Sequence, residues 1–432
     1  MKEKLKALIT RLKEINYKKA LRLQLQIRPH LQGVPYWVAA VAVGLIAVSF
    51  SNSFGALIGH SQQILEKNPY AYLVLGPVCF AVATWIVGRY APAAGGTGIP
   101  SVLKALSLDS SASVEIQSLL SLRVASVVIL SSLLAVLGGG SLGREGPMVQ
   151  VAACVFYVIG RQFKKLWPAD EHRSWIVAGG AAGLAAAFNT PLAGIVFVLE
   201  ELTQLHFHQF KTVIISAVII AGMMSQWLFG RYLFLGYPLV GEVRFSAFPF
   251  VIAVGVLCGV AAGLFEQLLT LLRRQTAGVL ASNRLLLGAL VGLVVALMGI
   301  FLGKETVGGG VSLMSELLFR DGYYASWKEM ASRFFGPIVA SLSGCAGGFL
   351  APSLSLGATI GSRFAAEVTP ANHNLLVLVG MSGMLSAISR APFTALVVVM
   401  EMTDRHSVIF PLMLSSLVAQ GTVRAIAGRF VK

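Results

Sequence analysis

The sequence predicts an all-α integral membrane protein in which two inverted-topology repeats bring discontinuous helices together at the membrane midplane. Three observations carry this expectation. Hydrophobic residues make up 56% of the 432 residues and charged ones only 12%, about half the charge of a soluble chain, and the mean hydropathy is +0.76. The apolar runs are continuous, which excludes the alternating strands of a closed barrel and leaves helices to satisfy the backbone in lipid. The second half of the chain also echoes the first.

Taken in order, residues 1–30 come first. Lys2, Lys4, Lys6, Arg11, Lys13, Lys18, Lys19, Arg22 and Arg28 face only Glu3 and Glu14. Leu5, Leu8, Leu12 and Ile15 recur at helical spacing, so this arm reads as a basic amphipathic helix on the cytoplasmic membrane face. Arg424, Arg429 and Lys432 close the other end. Both termini are therefore expected in the cytoplasm of a multi-pass protein of the cell (inner) membrane, with an even number of crossings. The net charge of +15 is read as topological charge, with no nucleic-acid partner. No signal peptide is expected, since the first apolar run, from Val34, is too long.

Residues 31–432 form the membrane domain. Runs at 34–58, 71–89, 211–229, 247–271 and 284–302 reach the ~20 residues a crossing needs. Those near 147–160, 175–188, 191–199, 350–361, 375–388 and 391–400 are short and broken by Gly, Pro or Asn, the mark of helices that end inside the membrane. Cys79, Cys154, Cys258 and Cys345 all lie in apolar runs without metal-ligand spacing and read as buried thiols. His206 and His208 fall on different helix faces. No metal or cofactor is expected.

The internal repeat places repeat 1 at about 34–230 and repeat 2 at about 245–428. AGLAAAFNTPLAGIVFVLE from Ala182 aligns with GMLSAISRAPFTALVVVME from Gly383 at an offset of 201. Pro191 meets Pro392, Glu200 meets Glu401 and Leu184 meets Leu385. Gly143 to Pro147 matches Gly348 to Pro352 at an offset of 205, and Gly95 to Ile99 weakly echoes Val307 to Val311. Such duplication predicts a site at the repeat interface.

Three elements have the form of a tight turn into a helix: Gly96-Thr97-Gly98-Ile99-Pro100, Gly143-Arg144-Glu145-Gly146-Pro147 and Gly348-Phe349-Leu350-Ala351-Pro352. A helix start leaves N–H groups unpaired, carrying in sum about half a positive charge. Three such ends aimed at one point hold a small anion without a full cation that would bind it too firmly for transport. Glu145 beside them is a second anion, one that a proton can discharge. The dinucleotide-like Gly138-x-Gly140-x-x-Gly143 is rejected, because no strand precedes it and no acid follows at the right distance.

These three motifs, in this order, with 181–201 and Glu401-Met402-Thr403-Asp404, resemble the CLC family of chloride channels and proton-coupled chloride exchangers, of the bacterial type without cytoplasmic regulatory domains. The resemblance implies a homodimer with one pore per subunit. It implies anion binding by Thr97, Gly98, Ile99, Arg144, Gly146, Phe349, Leu350 and Ala351, with Glu145 as external gate and proton carrier. It implies that Glu201 passes protons to the cytoplasmic side, while Glu200 and Glu401 hold structural places. A structural place for the Arg144 side chain stays open beside its supporting role.

Three departures stand out. Thr97 replaces the usual serine, Leu350 replaces a phenylalanine, and the family's C-terminal tyrosine, which closes the inner side of the chloride site, has no counterpart after Tyr324. The expected function is chloride–proton antiport across the bilayer; the alternative is an uncoupled voltage- or pH-gated channel for chloride or another small anion. No nucleophile–base pair or metal motif points to an enzyme.

Overall fold

The computed structural model describes residues 33–109, 111–163, 172–202, 207–229, 234–369 and 372–430; the basic arm of residues 1–30 lies outside them. The described residues form seventeen α-helices and no strand, only two isolated bridges. The first half holds α1 (Val34–Lys67), α2 (Tyr72–Tyr90), α3 (Ile99–Ser107), α4 (Ser113–Leu119), α5 (Leu122–Leu137), α6 (Glu145–Phe163), α7 (His172–Phe188), α8 (Pro191–Phe197) and α9 (Phe207–Phe229). The second holds α10 (Phe248–Ser282), α11 (Arg284–Leu302), α12 (Val311–Phe319), α13 (Trp327–Leu342), α14 (Leu350–Val368), α15 (His373–Ser389), α16 (Pro392–Thr403) and α17 (Ile409–Phe430).

The halves match element by element apart from α4, which has no separate counterpart in the second half. α2 and α11 have 19 residues each, α3 and α12 nine, α6 and α14 19, α7 and α15 17. α8 runs on through a wide π-turn, Val198–Leu202, so that 191–202 corresponds to α16. Left-handed residues recur at the same places: Asn189 and Arg390 end α7 and α15 with φ of 56° and 62°, and Gly98 and Gly310, both at 82°, precede α3 and α12. Packing repeats too. α6 lies on α7 as α14 lies on α15, α1 on α9 as α10 on α17, while α2 meets α11 and α8 meets α16 across the halves.

The α8–α16 contact shows the inversion directly. The Glu200 carboxylate, at the end of the first helix, accepts from Phe393 N (3.1 Å) and Thr394 N (2.7 Å) at the start of the second. The Glu401 carboxylate accepts in return from Leu192 N (3.1 Å) and Ala193 N (3.0 Å). Each helix thus ends where the other begins. An anionic side chain satisfies the orphan N–H groups and the positive end of the partner.

Among the described residues six segments are long and apolar enough to cross a membrane, and the expected run at 211–229 falls instead among the shorter apolar helices, as Thr212–Leu228. Two of the six were not expected. Ser113–Leu137 is interrupted at Ser121, whose hydroxyl caps α5 by accepting from Val124 N. His406–Ile426 is diluted by Ser415, Ser416, Gln420 and Thr422. At 34 residues α1 is about 51 Å long, so it tilts or protrudes from a ~30 Å hydrocarbon layer.

The inner helices are buried on every side; in α7 each residue from Ser174 to Phe188 is buried. Lipid supplies no hydrophobic drive between helices, so close approach of small residues does the packing. At the α14–α15 crossing a Cβ on Gly357 or on Gly380 would overlap the other's carbonyl oxygen. This sheath shields the irregular backbone at the centre, which lipid itself would not tolerate.

Candidate functional site

The turns that start α3, α6, α12 and α14 are stitched together by backbone hydrogen bonds. Gly143 N donates to Gly348 O (2.9 Å) and Gly348 N to Gly143 O (2.8 Å). Gly96 N donates to Cys345 O and Gly347 N to Gly96 O, each at 3.0 Å, and Gly308 N to Gly140 O at 2.9 Å. Glycine is required where the turns touch. A Cβ on Gly98, already in a left-handed conformation, would sit 2.8 Å from Gly146 O and 3.0 Å from the Gln150 Cβ.

Pro147 and Pro352 lie in the first turns of α6 and α14 and lack an N–H. The donors left there belong to Glu145 and Gly146 on one helix and to Leu350 and Ala351 on the other. These two sets face each other across the Gly143–Gly348 bridge. Glu145, the first residue of α6, is 2% exposed. The backbone N–H groups of Ala351, Arg144 and Glu145 are directed at its carboxylate. Its Oε2 lies over Gly143, buried and without a hydrogen bond. A carboxylate placed this way lies close to N–H groups of both helix starts, the same groups a small anion would use.

Arg144 turns away from this point. Its Nη1 donates to Ser51 O of α1 (3.1 Å), its guanidinium lies 5.7 Å from the Phe234 ring, and its Nε is 4.0 Å from Glu145 Oε1. Its backbone N–H reaches the carboxylate while its side chain props α1 and adds positive potential nearby.

A cavity of about 180 Å³ opens on the other side of Gly146. Thr97, Ile99, Gly146, Phe349 and Leu350 line it, together with Glu201. The structure therefore brings most of the sequence-selected residues to one place. Gly98 and Ala351 are buried just behind the wall, and Glu145 sits beyond Gly146. Such a volume holds a halide and several waters. The remaining wall is mostly apolar: Leu184, Phe188, Phe197, Leu385, Ile388 and Val398. These were not selected from the sequence, because nothing but the fold distinguishes them from other apolar helix residues.

Glu200 and Glu201 are neighbours with different surroundings. Consecutive helix residues point about 100° apart, so Glu200 caps α16 while Glu201, half-buried on the π-turn, faces the cavity. Thr394 lines the cavity while its hydroxyl donates to Glu200 Oε2 (2.8 Å). Among the described residues no group of three or more His, Cys, Asp or Glu could hold a metal ion.

Comparison with known proteins agrees with this geometry. The family described as "Voltage gated chloride channel" matches residues 79–424. The H(+)/Cl(-) exchange transporter ClcA of Vibrio campbellii (strain ATCC BAA-1116) is 31% identical over 378 residues, covering 83% of this chain and 77% of that protein. Its namesake from Vibrio vulnificus (strain YJ016) is 31% identical over 396 residues, covering 87% and 80%. Among solved structures, a slow cyanobacterial Cl−/H+ antiporter superposes with a TM-score of 0.81 at 24% identity, covering 92% of this chain and 95% of that one. A CLC-type fluoride/proton antiporter superposes at 0.74 and 20%, covering 91% and 97%.

Proposed function

The chain belongs to the voltage-gated chloride channel family, and on that premise we propose that it exchanges chloride for protons across a cell membrane, with Glu145 as the group both ions share. The observation that carries this is the seat of the Glu145 carboxylate, on backbone N–H groups from two helix starts, next to a cavity that reaches Glu201.

The mechanism follows from competition. Chloride in the cavity is held by Thr97 and by the helix-start N–H groups near Gly146, Leu350 and Ala351, and it goes no further while the charged carboxylate occupies the next set of donors. A proton discharges Glu145, the donors lose their anion, and chloride takes its place. The neutral side chain swings aside carrying the proton. Return of the carboxylate expels chloride and releases the proton on the opposite side. One group thus serves the two ions alternately, which couples them. Glu201 supplies protons from the cavity side. Its position on the cavity wall favours exchange over a channel, since a pore for chloride alone has no use for a carboxylate there.

The protein is read as a transporter, not an enzyme, working as a homodimer with one path per protomer and both termini in the cytoplasm. The test is reconstitution in liposomes with chloride and pH recorded together. The wild type should move protons uphill on a chloride gradient. Glu145→Gln should move chloride and no protons, and undiminished coupled proton movement in that variant would overturn the assignment.

A further inference from the structure

Exchange needs the cavity closed on the side away from Glu145 while the Glu145 side is open, and the Phe349 ring stands in the cavity wall beside the exposed Arg273. We propose that the Phe349 ring is this inner gate, latched by Phe265 and Arg273 of α10. The inference rests on the exchange reading above and names the residues that make exchange tight.

Phe349 precedes the first turn of α14 and lines the cavity. Its ring meets Phe265 edge-on, with centroids 5.5 Å apart and planes at 84°, and the Arg273 guanidinium lies 6.0 Å from its centroid. Phe265 is near the middle of α10, and Arg273 is eight residues on, about 12 Å nearer the end at Ser282. The ring is thus strung between the membrane centre and a point two turns outward. Arg273 is exposed, so the outer end of this latch lies at the protein surface.

The opposite jamb is held by the same helix. Ile388 and Ser389, the last two residues of α15, line the cavity, and Ile388 packs with Phe349 on the apolar patch of Phe265, Leu269 and Ile338. The next residue, Arg390, binds Glu266 Oε2 of α10 at 3.1 Å, and its carbonyl accepts from Gln420 Nε2 of α17 at 2.8 Å. Phe265 and Glu266 therefore hold the two sides of one opening. A small rotation of the Phe349 side chain breaks an aromatic edge contact and a cation–π contact and exposes the cavity, with no helix movement. An apolar ring also shields a halide from water without binding it.

The test compares wild type, Phe349→Ala, Phe349→Tyr and Arg273→Gln in liposomes, measuring chloride turnover and protons moved per chloride. Phe349→Ala should raise chloride turnover by about tenfold, since both latch contacts go, and lower the protons per chloride severalfold. Phe349→Tyr keeps the ring and should recover most of the proton ratio that Phe349→Ala loses. Arg273→Gln should raise turnover about two- to fivefold, the range of an exposed cation–π contact. A merely structural Phe349 would lower turnover in the alanine variant and leave the proton ratio unchanged, which would overturn the proposal. So would wild-type turnover in Arg273→Gln, a surface substitution that decides the matter should Phe349→Ala not fold. The outcome is separable from the exchange reading. If Glu145→Gln still couples protons, that reading fails, while the alanine–tyrosine contrast in chloride turnover still tells whether the ring closes the cavity.

Discussion

Gly143→Ala is predicted to evict the Glu145 carboxylate without removing it. A Cβ built on Gly143 overlaps Glu145 Oε2 and lies 3.1 Å from Pro352 Cδ and 3.3 Å from Ala351 Cβ. The last two are anchored in the first turn of α14, whereas the carboxylate ends a flexible side chain and gives way. Gly143 is not left-handed, so alanine brings no backbone strain. A hydrogen bond to a charged group contributes about 1.5–3 kcal/mol net. Displacing the carboxylate from one of the N–H groups close to it shifts its in–out balance by about tenfold, the low end of that range. Chloride competes for the same donors, so its apparent affinity rises as the competitor leaves. The assay is calorimetric chloride titration of purified protein near neutral and at acidic pH. Wild type should bind chloride more tightly as pH falls, because protonation discharges the competing carboxylate. Gly143→Ala should bind at least about tenfold tighter near neutral pH, with that pH dependence flattened. In a Glu145→Gln background the same substitution should add nothing, because its target is already uncharged. Wild-type affinity and pH dependence in Gly143→Ala would refute the reasoning, as would a full additive effect in the double variant.

Two further outcomes follow from the α8–α16 pair and its neighbour. Glu200→Ala should destabilise by about 2–4 kcal/mol, leaving two helix-start N–H groups and the Thr394 hydroxyl without their acceptor; Glu401→Ala should cost somewhat less, and thermal unfolding in detergent ranks the two. Glu201→Met should leave the unfolding midpoint and chloride turnover within about twofold of wild type and abolish proton movement in liposomes; loss of both ions together would point to a folding defect instead.

The scaffold was readable in the sequence where a residue's identity alone dictates geometry. Gly98, Gly146, Pro147 and Pro352 each do one thing that other residues cannot, so their order announced helix starts in mid-membrane. The offset of 201 between Pro191 and Pro392 likewise aligned two helices before any coordinates. What stayed hidden depends on which helix lies against which. Leu385, Ile388 and Val398 look like any apolar helix residues until the fold aims them at the cavity. Arg273 and Glu266 sit on a long spanning helix with no motif about them, and their position over Phe349 and Arg390 is set by tertiary contact alone. The crossing over Ser113–Leu137 was obscured by the break at Ser121, where a cap restarts the helix.

The repeat separates frame from chemistry, because the two halves can be compared residue by residue. Positions where they agree hold the backbone: Gly98 with Gly310, Pro147 with Pro352, Pro191 with Pro392, Glu200 with Glu401. On the proposed exchange, residues that meet the ions fall where the halves differ. Glu145 corresponds to Leu350 at the offset of 205, Thr97 to Gly309 at 212, and Glu201 to Met402 at 201. A perfectly symmetric pair of inverted halves would present the same groups to both faces of the membrane. On the proposed exchange, the carboxylate that leaves its seat and the one that feeds it protons each stand on one half only, so the two sides of the path are chemically unlike. Met402 is fully buried on the same kind of helix end that carries Glu201. The frame thus accepts an apolar side chain at this register, and the carboxylate at 201 is retained for a task the fold itself does not set. That is why replacing it with its counterpart's methionine should spare the structure and the halide path while removing the proton.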